Sequence, residues 1–231
     1  LGATPGLAEA MEAGWSTTAH VETTAEATWS AVRGMRQGRA VFTVPPEPSP
    51  CGGTALKPLF LACDHWREQG VLDDIDVHLV TPYSSLLDLP FADRRLQEHV
   101  DRFGVRVHHD AQVFGLDHER QTVTLGTAAG EEVLEEVTHA FVVPHYRAPG
   151  WVAESGLADG SPAGLVDIDP ETLRHRRHEA IWALGDAARV ETRPSGGALR
   201  HQVDVLARNI ERKDVVARYS LDVRPDVDGF G

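Results

Sequence analysis

The sequence has only two cysteines among its 231 residues, Cys51 and Cys63. Two cysteines cannot provide the disulfide framework of small secreted domains, so the sequence favours a reducing compartment. The sequence also has no run of about 18 consecutive apolar residues, the length that a membrane-spanning helix requires. We therefore expect neither a disulfide-stabilised scaffold nor a segment that spans a bilayer.

Basic residues are also scarce. The chain has 22 lysines and arginines against 35 aspartates and glutamates, which gives a formal net charge of −13. Binding to nucleic acid requires a basic face, so this composition predicts no nucleic-acid partner. The same balance argues against simple electrostatic attachment to an anionic membrane surface.

Several common site motifs are absent as well. The chain has 12 histidines, but none forms H-x-x-x-H or accompanies a C-x-x-C pair, so no metal site is predicted. Neither a G-x-S-x-G element nor a phosphate-binding loop occurs. Metal-dependent, serine-hydrolase and phosphoryl-transfer chemistry therefore have no support in the sequence.

What the sequence does contain is an alternation of strand and helix patterns. Strands are predicted at 40–44, 76–81 and 105–108, with helices from Pro58 and over 93–103. This β-α-β-α-β order predicts an α/β fold with a Rossmann-like parallel sheet and helices packed on it. Apolar alternation then continues in three further strands at 111–117, 121–125 and 133–143, which predict a β-meander attached to that sheet.

Two regions flank this α/β segment. Before it, Ala25, Trp29 and Val32 have helical spacing, so one face of a helix capped by Thr23 or Thr24 should be buried. After it, 172–177 is predicted as a helical turn, 180–184 as a buried strand and 199–211 as an amphipathic helix. The run from His175 to His178 is interpreted as a solvated turn.

The predicted strand at 180–184 runs into Gly185-Asp186. A carboxylate at that point would lie at the carboxyl edge of a sheet, where α/β proteins bind ligands. Asp186 could there accept hydrogen bonds from sugar-like hydroxyls. The alternative is that Gly185 and Asp186 are ordinary turn residues.

The first β-α-β unit has the outline of a dinucleotide site but the wrong loop. Instead of G-x-G-x-x-G, residues 45–53 contain four prolines and Glu47. Proline removes backbone amide donors and a carboxylate repels phosphate, whereas a pyrophosphate site needs close amide contacts. The second strand also ends without an acidic residue to hold a ribose. We therefore predict a Rossmann-like half that does not bind NAD.

That loop instead presents Cys51, just before the predicted helix. A helix N-terminus favours a thiolate, which suggests a redox or nucleophilic cysteine. The alternative is a small buried loop residue. Cys63, by contrast, lies on the apolar stripe of the helix and is predicted to be core. A bridge between the two is not expected, because the helix carries Cys63 away from the loop.

Several segments together resemble one family. These are 24–29, 38–45 with Pro50-Cys51-Gly52-Gly53, the run Val166–Arg177, the segment from Ile181 to Asp186, and Gln202. They are similar to the first redox-cysteine region, the VDxxTLxHRR stretch, the flavin-contacting Gly-Asp strand and the following helix of sulfide:quinone oxidoreductases. The resemblance covers nearly the whole chain.

The resemblance implies a division into domains and a cofactor. Residues 1–36 and 144–231 would be parts of an FAD-binding domain, and 37–143 an inserted NAD-like domain that is not used for NADH. Gly185, Asp186 and Gln202 would lie at the FAD, with Asp186 holding its ribityl or ribose part. The family's glycine-rich FAD fingerprint would precede Leu1, so the chain is interpreted as the central part of a longer protein.

The resemblance also implies an activity. Cys51 would take sulfur from sulfide as a persulfide, working with a second cysteine that lies beyond this chain. Electrons would pass to FAD and then to a quinone. The full-length protein would be cytoplasmic and peripheral to the inner face of the membrane, and a homo-oligomer is compatible with this reading.

Two alternatives stay open. A type II NADH dehydrogenase shares the fold, but the prolines and Glu47 argue against it. A degenerate, non-catalytic flavoprotein relative is the other, because the family's P-T-S-K-T run after Gly-Asp has no lysine counterpart in 191–196.

Overall fold

The computed structural model describes residues 4–49, 51–190 and 194–211. The chain divides after Tyr146 into two compact units. Within the described residues no helix is long and apolar enough to cross a membrane.

The first unit contains four helices and eight strands in its described part. The helices are α1 (Leu7–Glu12), α2 (Glu22–Gly34), α3 (Lys57–Glu68) and α4 (Pro90–Arg102). The strands are β1 (Ser16–Thr17), β2 (Gly38–Thr43), β3 (Ile75–Val80), β4 (Arg106–His108), β5 (Gln112–Asp117), β6 (Thr122–Thr127), β7 (Gly130–Leu134) and β8 (Val137–Phe141).

The strands form two sheets. A five-stranded sheet has the order β1-β8-β2-β3-β4 with every neighbouring pair parallel. β5, β6 and β7 form an antiparallel sheet that lies between β4 and β8 in the chain. The predicted α/β class, a Rossmann-like parallel sheet with an attached β-meander, is confirmed.

The prediction of one strand over 133–143 is wrong. That segment contains the end of β7, which pairs antiparallel with β6, and then β8, which inserts between β1 and β2 of the parallel sheet. Glu136 separates them in a left-handed conformation, with φ of 56°. Apolar alternation cannot show this change of sheet, because both strands carry the same period of two.

The two faces of the parallel sheet have separate cores. One face packs on α2, α3 and α4, where Phe42 stacks on Phe141 with ring centroids 4.4 Å apart. Cys63 is fully buried in this core, as predicted, and burial raises its thiol pKa to about 12. The opposite face packs on α1 and the meander through residues such as Val41 and Leu125.

Alternating strand positions explain how one short apolar run serves both cores. Ala40 and Phe42 of β2 belong to the helical side, while Val41 between them belongs to the meander side. A strand buried on both faces reads as a continuous apolar run, which is typical of a central parallel strand. β2 is accordingly hydrogen-bonded on both sides, to β8 and to β3.

Polar side chains also cross the meander side of the sheet. Asp76 lies 3.0 Å from Arg39 Nε and 3.0 Å from His78 Nε2, and His78 Nδ1 lies 2.8 Å from His108 Nε2. Burial would raise the pKa of Asp76, but the hydrogen bonds with His78 and Arg39 bring it below its ordinary value. Burial lowers the pKa of His78, so this pair of rings is neutral near pH 7.

His139 on β8 makes the first unit sensitive to acid. Its ring is 8% exposed, with Nε2 3.0 Å from Thr17 Oγ1, and burial lowers its pKa from 6.5 to about 4. A depressed pKa means that the unfolded chain binds the proton more tightly, so stability is full above pH 6.5 and falls as the pH drops to about 4. We expect His139 alone to account for about 3 kcal/mol of that loss.

The measurement is urea unfolding of the chain and of His139→Gln at pH 7 and pH 4.5. Glutamine keeps a polar group near Thr17 but does not titrate, so the variant should lose less stability on acidification than the parent chain. Losses from the other histidines occur in both proteins and cancel. Equal losses in the two proteins would contradict the assignment to His139.

The second unit has helices α5 (Gly150–Glu154) and α6 (Gly196–Glu211) around a small core that includes Ile168, Leu173 and Val205. The helix predicted at 199–211 is confirmed. The buried strand predicted at 180–184 is wrong: Trp182 makes one isolated antiparallel bridge with Arg174, and the segment is half-buried. A strand becomes regular only with a continuous partner, which this stretch does not have among the described residues.

The run 167–178 is folded by turns rather than by the predicted helical turn. Asp169 accepts hydrogen bonds from the N–H groups of Glu171 and Thr172, and Leu173 adopts φ of 62°. The interpretation of His175 as solvated is wrong. Its ring is 2% exposed, accepts from Arg177 N–H at Nδ1, and lies 3.2 Å from Leu157 O at Nε2.

Residues 4–36 lie in the first unit, where β1 is hydrogen-bonded to β8 of the parallel sheet. The predicted division into 1–36, 37–143 and 144–231 stays a prediction. The assignment of 1–36 and 144–231 to an FAD-binding domain stays a prediction.

Candidate functional site

Cys51 lies where the loop after β2 enters a short 3₁₀ turn, Gly52–Leu56, that leads directly into α3. β2 is a central strand of the parallel sheet, and its carboxyl end is the edge at which α/β proteins bind ligands. The thiol is exposed. The interpretation of Cys51 as a buried loop residue is therefore wrong, and its side chain is available for chemistry.

The backbone at Cys51 is held by one neighbour. Its carbonyl oxygen accepts hydrogen bonds from the N–H of Thr54 at 2.7 Å and from Thr54 Oγ1 at 2.8 Å. Cys51 itself adopts φ of 49°, a left-handed conformation that non-glycine residues rarely take. Two hydrogen bonds stabilise this conformation. The sequence reasoning missed Thr54, although a hydroxyl residue three positions after a turn residue is a recognisable signal.

The rest of the loop offers no cradle of amides. Glu47 Oε2 accepts the N–H of Ser49 at 3.0 Å, and Tyr83 Oη lies 3.5 Å from both Pro45 O and Glu47 Oε1. The Glu47 carboxylate thus accepts the hydrogen bond of the Ser49 N–H, one of the few backbone donors that the prolines leave in this loop. This geometry agrees with the chemical argument against a pyrophosphate, and the absence of NAD binding stays a prediction.

Cys63 cannot perform the same role. Its side chain has no exposed surface, and its raised pKa keeps the thiol protonated at neutral pH. Nucleophilic and redox chemistry requires an accessible thiolate. Of the two cysteines in the chain, Cys51 alone is accessible.

The other candidate residues lie together in the second unit. Gly185 adopts φ of 67°, and its N–H donates to Gln202 Oε1 at 2.7 Å. Gln202 is 1% exposed and comes from α6. A β-carbon on Gly185 would lie 3.1 Å from Leu199 Cδ1. The Gly-Asp turn is therefore held against α6, and Asp186 follows it as an exposed carboxylate.

A second contact, which the sequence reasoning did not find, ties α6 to the Val166–Arg177 stretch. Asn209 Nδ2 donates to Thr172 O at 2.8 Å. Gln202 and Asn209 are seven residues apart, and therefore lie on one face of a helix with 3.6 residues per turn. The helix thus organises both segments that resemble the flavoprotein family. The seven-residue spacing of Gln202 and Asn209 could have indicated from the sequence that both amide side chains lie on the same face of the helix.

Replacing Gln202 by methionine should weaken this arrangement. Methionine has a similar volume but no acceptor, so the Gly185 N–H would be left without its partner at a cost of about 1–2 kcal/mol. Amide hydrogen exchange at Gly185 should then be about 10-fold faster, since 1.4 kcal/mol is a factor of ten. Arg200→Gln, an exposed change on the same helix, is the control and should leave that exchange rate unaltered. Unchanged exchange in Gln202→Met would show that the hydrogen bond does not hold the turn.

Three named relatives are similar to this chain. No protein-family profile matches it. The mitochondrial sulfide:quinone oxidoreductase of Mus musculus is 26% identical over 195 residues, covering 81% of this chain and 42% of the relative. The enzyme of the same name from Schizosaccharomyces pombe is 26% identical over 214 residues, covering 88% of this chain and 45% of the relative. The one from Dictyostelium discoideum is 24% identical, covering 89% of this chain and 45% of the relative. The chain spans less than half the length of these relatives.

Solved structures with the same fold include two of high similarity. The sulfide:quinone oxidoreductase of Aquifex aeolicus superposes with a TM-score of 0.73 at 14% identity, over 91% of this chain and 51% of that one. A chain of the Tetrahymena thermophila mitochondrial ATP synthase superposes with a TM-score of 0.71 at 23% identity, over 93% of this chain and 55% of that one. The NAD-dependent persulfide reductase of A. fulgidus superposes with a TM-score of 0.54 at 19% identity, over 93% of this chain and 38% of that one. The chain is thus similar over most of its length to three proteins named sulfide:quinone oxidoreductase, and it shares the fold of the Aquifex protein of that name.

Proposed function

We propose that Cys51 is the sulfur-accepting cysteine of a flavoprotein that oxidises sulfide and delivers the electrons to a quinone. The observation that carries this proposal is the exposed thiol at the carboxyl end of a central parallel strand. Four prolines in residues 45–53 carry no backbone amide donor, and Glu47 accepts the N–H of Ser49, which disfavours a nucleotide phosphate in this loop. The names of the relatives support sulfide and quinone as the substrates.

In the proposed step Cys51 begins as one half of a disulfide. Hydrosulfide attacks a sulfur of that bond, so one cysteine becomes a persulfide and the other leaves as a thiolate. Cys63 is buried and cannot be the partner; a second cysteine from outside these 231 residues would serve. Thr54 would hold the backbone of Cys51 while the sulfur bonds change. A nucleophilic acceptor such as a thiol would then take the outer sulfur of the persulfide, which leaves both cysteines as thiolates. FAD, when bound, would supply the two-electron acceptor needed to re-form the disulfide, and a quinone would take those electrons from it.

The residues of the second unit fit a role in holding FAD. Asp186 is exposed next to a glycine turn, so its carboxylate can accept hydrogen bonds from ribityl or ribose hydroxyls. Gln202 does not face solvent, and its oxygen already accepts the Gly185 N–H. Gln202 would therefore act by positioning the turn, with Gly185 and Asp186 nearer the cofactor. Peripheral membrane association, which would give access to a quinone, is part of the same proposal.

The experiment mixes the full-length protein with sulfide under anaerobic conditions. The proposal expects loss of the flavin absorbance and an added sulfur atom on the peptide that contains Cys51, detected by mass spectrometry after thiol trapping. Flavin reduction without sulfur on that peptide would contradict the role of Cys51. Flavin reduction by NADH and not by sulfide would instead identify a type II NADH dehydrogenase.

A non-catalytic relative is the second candidate function. It is favoured by the similarity of fold to a chain in the structure of the Tetrahymena thermophila mitochondrial ATP synthase, a protein assembly. Such a protein would use the α/β fold for assembly rather than for catalysis. A full-length protein that shows no flavin absorbance and takes no sulfur at Cys51 would support this candidate over the enzyme.

A further inference from the structure

A groove of about 550 Å³ lies between the first halves of α2 and α3 in the first unit. Its volume falls in the range of about 300–1,000 Å³ that small-molecule sites occupy. The groove is lined by Ala19, His20, Ala25, Thr28, Trp29, Val32, Thr54, Lys57, Pro58 and Leu61. The two helices are joined beyond it, where Trp66 Nε1 donates to Val32 O at 2.9 Å.

The apolar lining is open where the sequence predicts burial. Ala25, Trp29 and Val32 have the spacing of a core-facing stripe, yet only Val32 is buried. Trp29 is 40% exposed and Leu61, across the groove on α3, is 62% exposed. The expectation of a buried face on α2 is therefore wrong for its first half. Contiguous exposed apolar side chains in a concavity are typical of a binding site.

One buried polar atom in the lining lacks a partner. His20 Nδ1 is inaccessible to solvent and has no hydrogen-bond partner within the part of the chain that the structure describes. Buried polar groups are almost always paired, so the ring of His20 adds no accessible hydrogen-bonding group at Nδ1 to the groove. The hydroxyls of Thr28 and Thr54 already donate to Thr24 O and Cys51 O.

The charge of the lining is unusual for this chain. Lys57 is the charged residue among those that line the groove, and it makes no ion pair with the described residues. No aspartate or glutamate is in the lining, although the chain carries 35 of them. A single cation beside apolar walls complements one anionic group on an apolar body.

We propose that this groove binds a small amphipathic molecule that has an aromatic or aliphatic body and one anionic group. The body lies against Trp29, Ala25 and Leu61, and the anion pairs with Lys57. The groove shares Thr54 with the Cys51 turn, but the proposed binding does not depend on sulfur chemistry, on FAD or on the Gly-Asp turn.

The test titrates the full chain with 2-naphthoate and with its neutral analogue 2-naphthamide in a calorimeter. The naphthoate should bind about 3-fold more tightly, the gain expected of one partly exposed ion pair. Lys57→Met should make the two affinities equal. Arg33→Gln removes an exposed cation from α2 outside the groove, and it should preserve the 3-fold ratio.

A pair of filling variants tests the location. Ala25→Trp fills the groove and should abolish binding of both probes, whereas Ala27→Trp adds the same side chain at an exposed position of α2 outside the lining and should leave binding intact. Far-UV circular dichroism checks that both variants are folded. The proposal is overturned if 2-naphthoate fails to bind at millimolar concentration, if it still binds Ala25→Trp, or if Lys57→Met keeps the 3-fold ratio.

Discussion

Replacing Cys51 by serine in the full-length protein is expected to slow sulfide-dependent flavin reduction by at least about 100-fold, since loss of a nucleophile removes the covalent step. Serine is nearly the same size, so the loop held by Thr54 should be retained. Its hydroxyl cannot form a disulfide or a persulfide. The measurement is stopped-flow absorbance of the flavin after mixing with sulfide.

Cys63→Ala provides the matched control for that result. It removes the other cysteine of the chain, which is buried in the core behind the sheet, and should lower stability slightly while leaving the rate of flavin reduction unaltered. A rate in Cys51→Ser equal to that of the parent protein would refute the role of Cys51. A large loss of rate in a folded Cys63→Ala variant would contradict the assignment of the chemistry to Cys51.

Replacing Trp66 by alanine is expected to destabilise the first unit by about 3–5 kcal/mol, the range for removing a large buried aromatic side chain. Trp66 has no exposed surface and lies edge-on to Phe42, with ring centroids 6.2 Å apart. Its indole N–H also donates to Val32 O, which ties α3 to α2. Urea unfolding, monitored by circular dichroism, gives the change in free energy of unfolding.

Trp66→Phe separates packing from the hydrogen bond. Phenylalanine keeps most of the aromatic contacts but has no donor, so the loss should be smaller and should include about 1–3 kcal/mol for the unpaired carbonyl of Val32. If alanine and phenylalanine cost the same, the hydrogen bond and not the packing would dominate. If Trp66→Ala costs less than about 1 kcal/mol, the position of Trp66 at the centre of the core would be refuted.

The spacing of apolar residues in the sequence predicted the helices and strands that pack on a single neighbouring element. The stripe of Leu59, Ala62, Cys63 and Trp66 predicted the buried face of α3, and all four are fully buried. The strand patterns at 40–44 and 76–81 predicted β2 and β3 within one or two residues. Apolar spacing also predicted the helix at 199–211, but not its buried face. The buried residues of α6 are Ala198, Gln202 and Val205, while Leu199, Val203 and Ile210 are exposed.

The spacing of apolar residues did not predict the structure where strand pairing or burial depends on a segment far away in the chain. β8 shares its alternation with the meander, but its partners are β1 and β2, which lie about a hundred residues earlier in the chain. The 180–184 segment has the composition of a buried strand and lacks a continuous partner among the described residues. Ala25 and Trp29 have core spacing, yet both are exposed and line the groove between α2 and α3.

The amino-acid sequence by itself determined the fold class and the chemistry that the loop after β2 can support. Composition, prolines, Glu47 and a single flanking cysteine are properties of the local chain, and no folding is needed to read them. Only the tertiary structure decided which thiol is accessible, how Gln202 holds Gly185, and that the α2–α3 groove is open. Exposure and contact depend on residues far apart in the chain, because burial is produced by packing and not by local propensity.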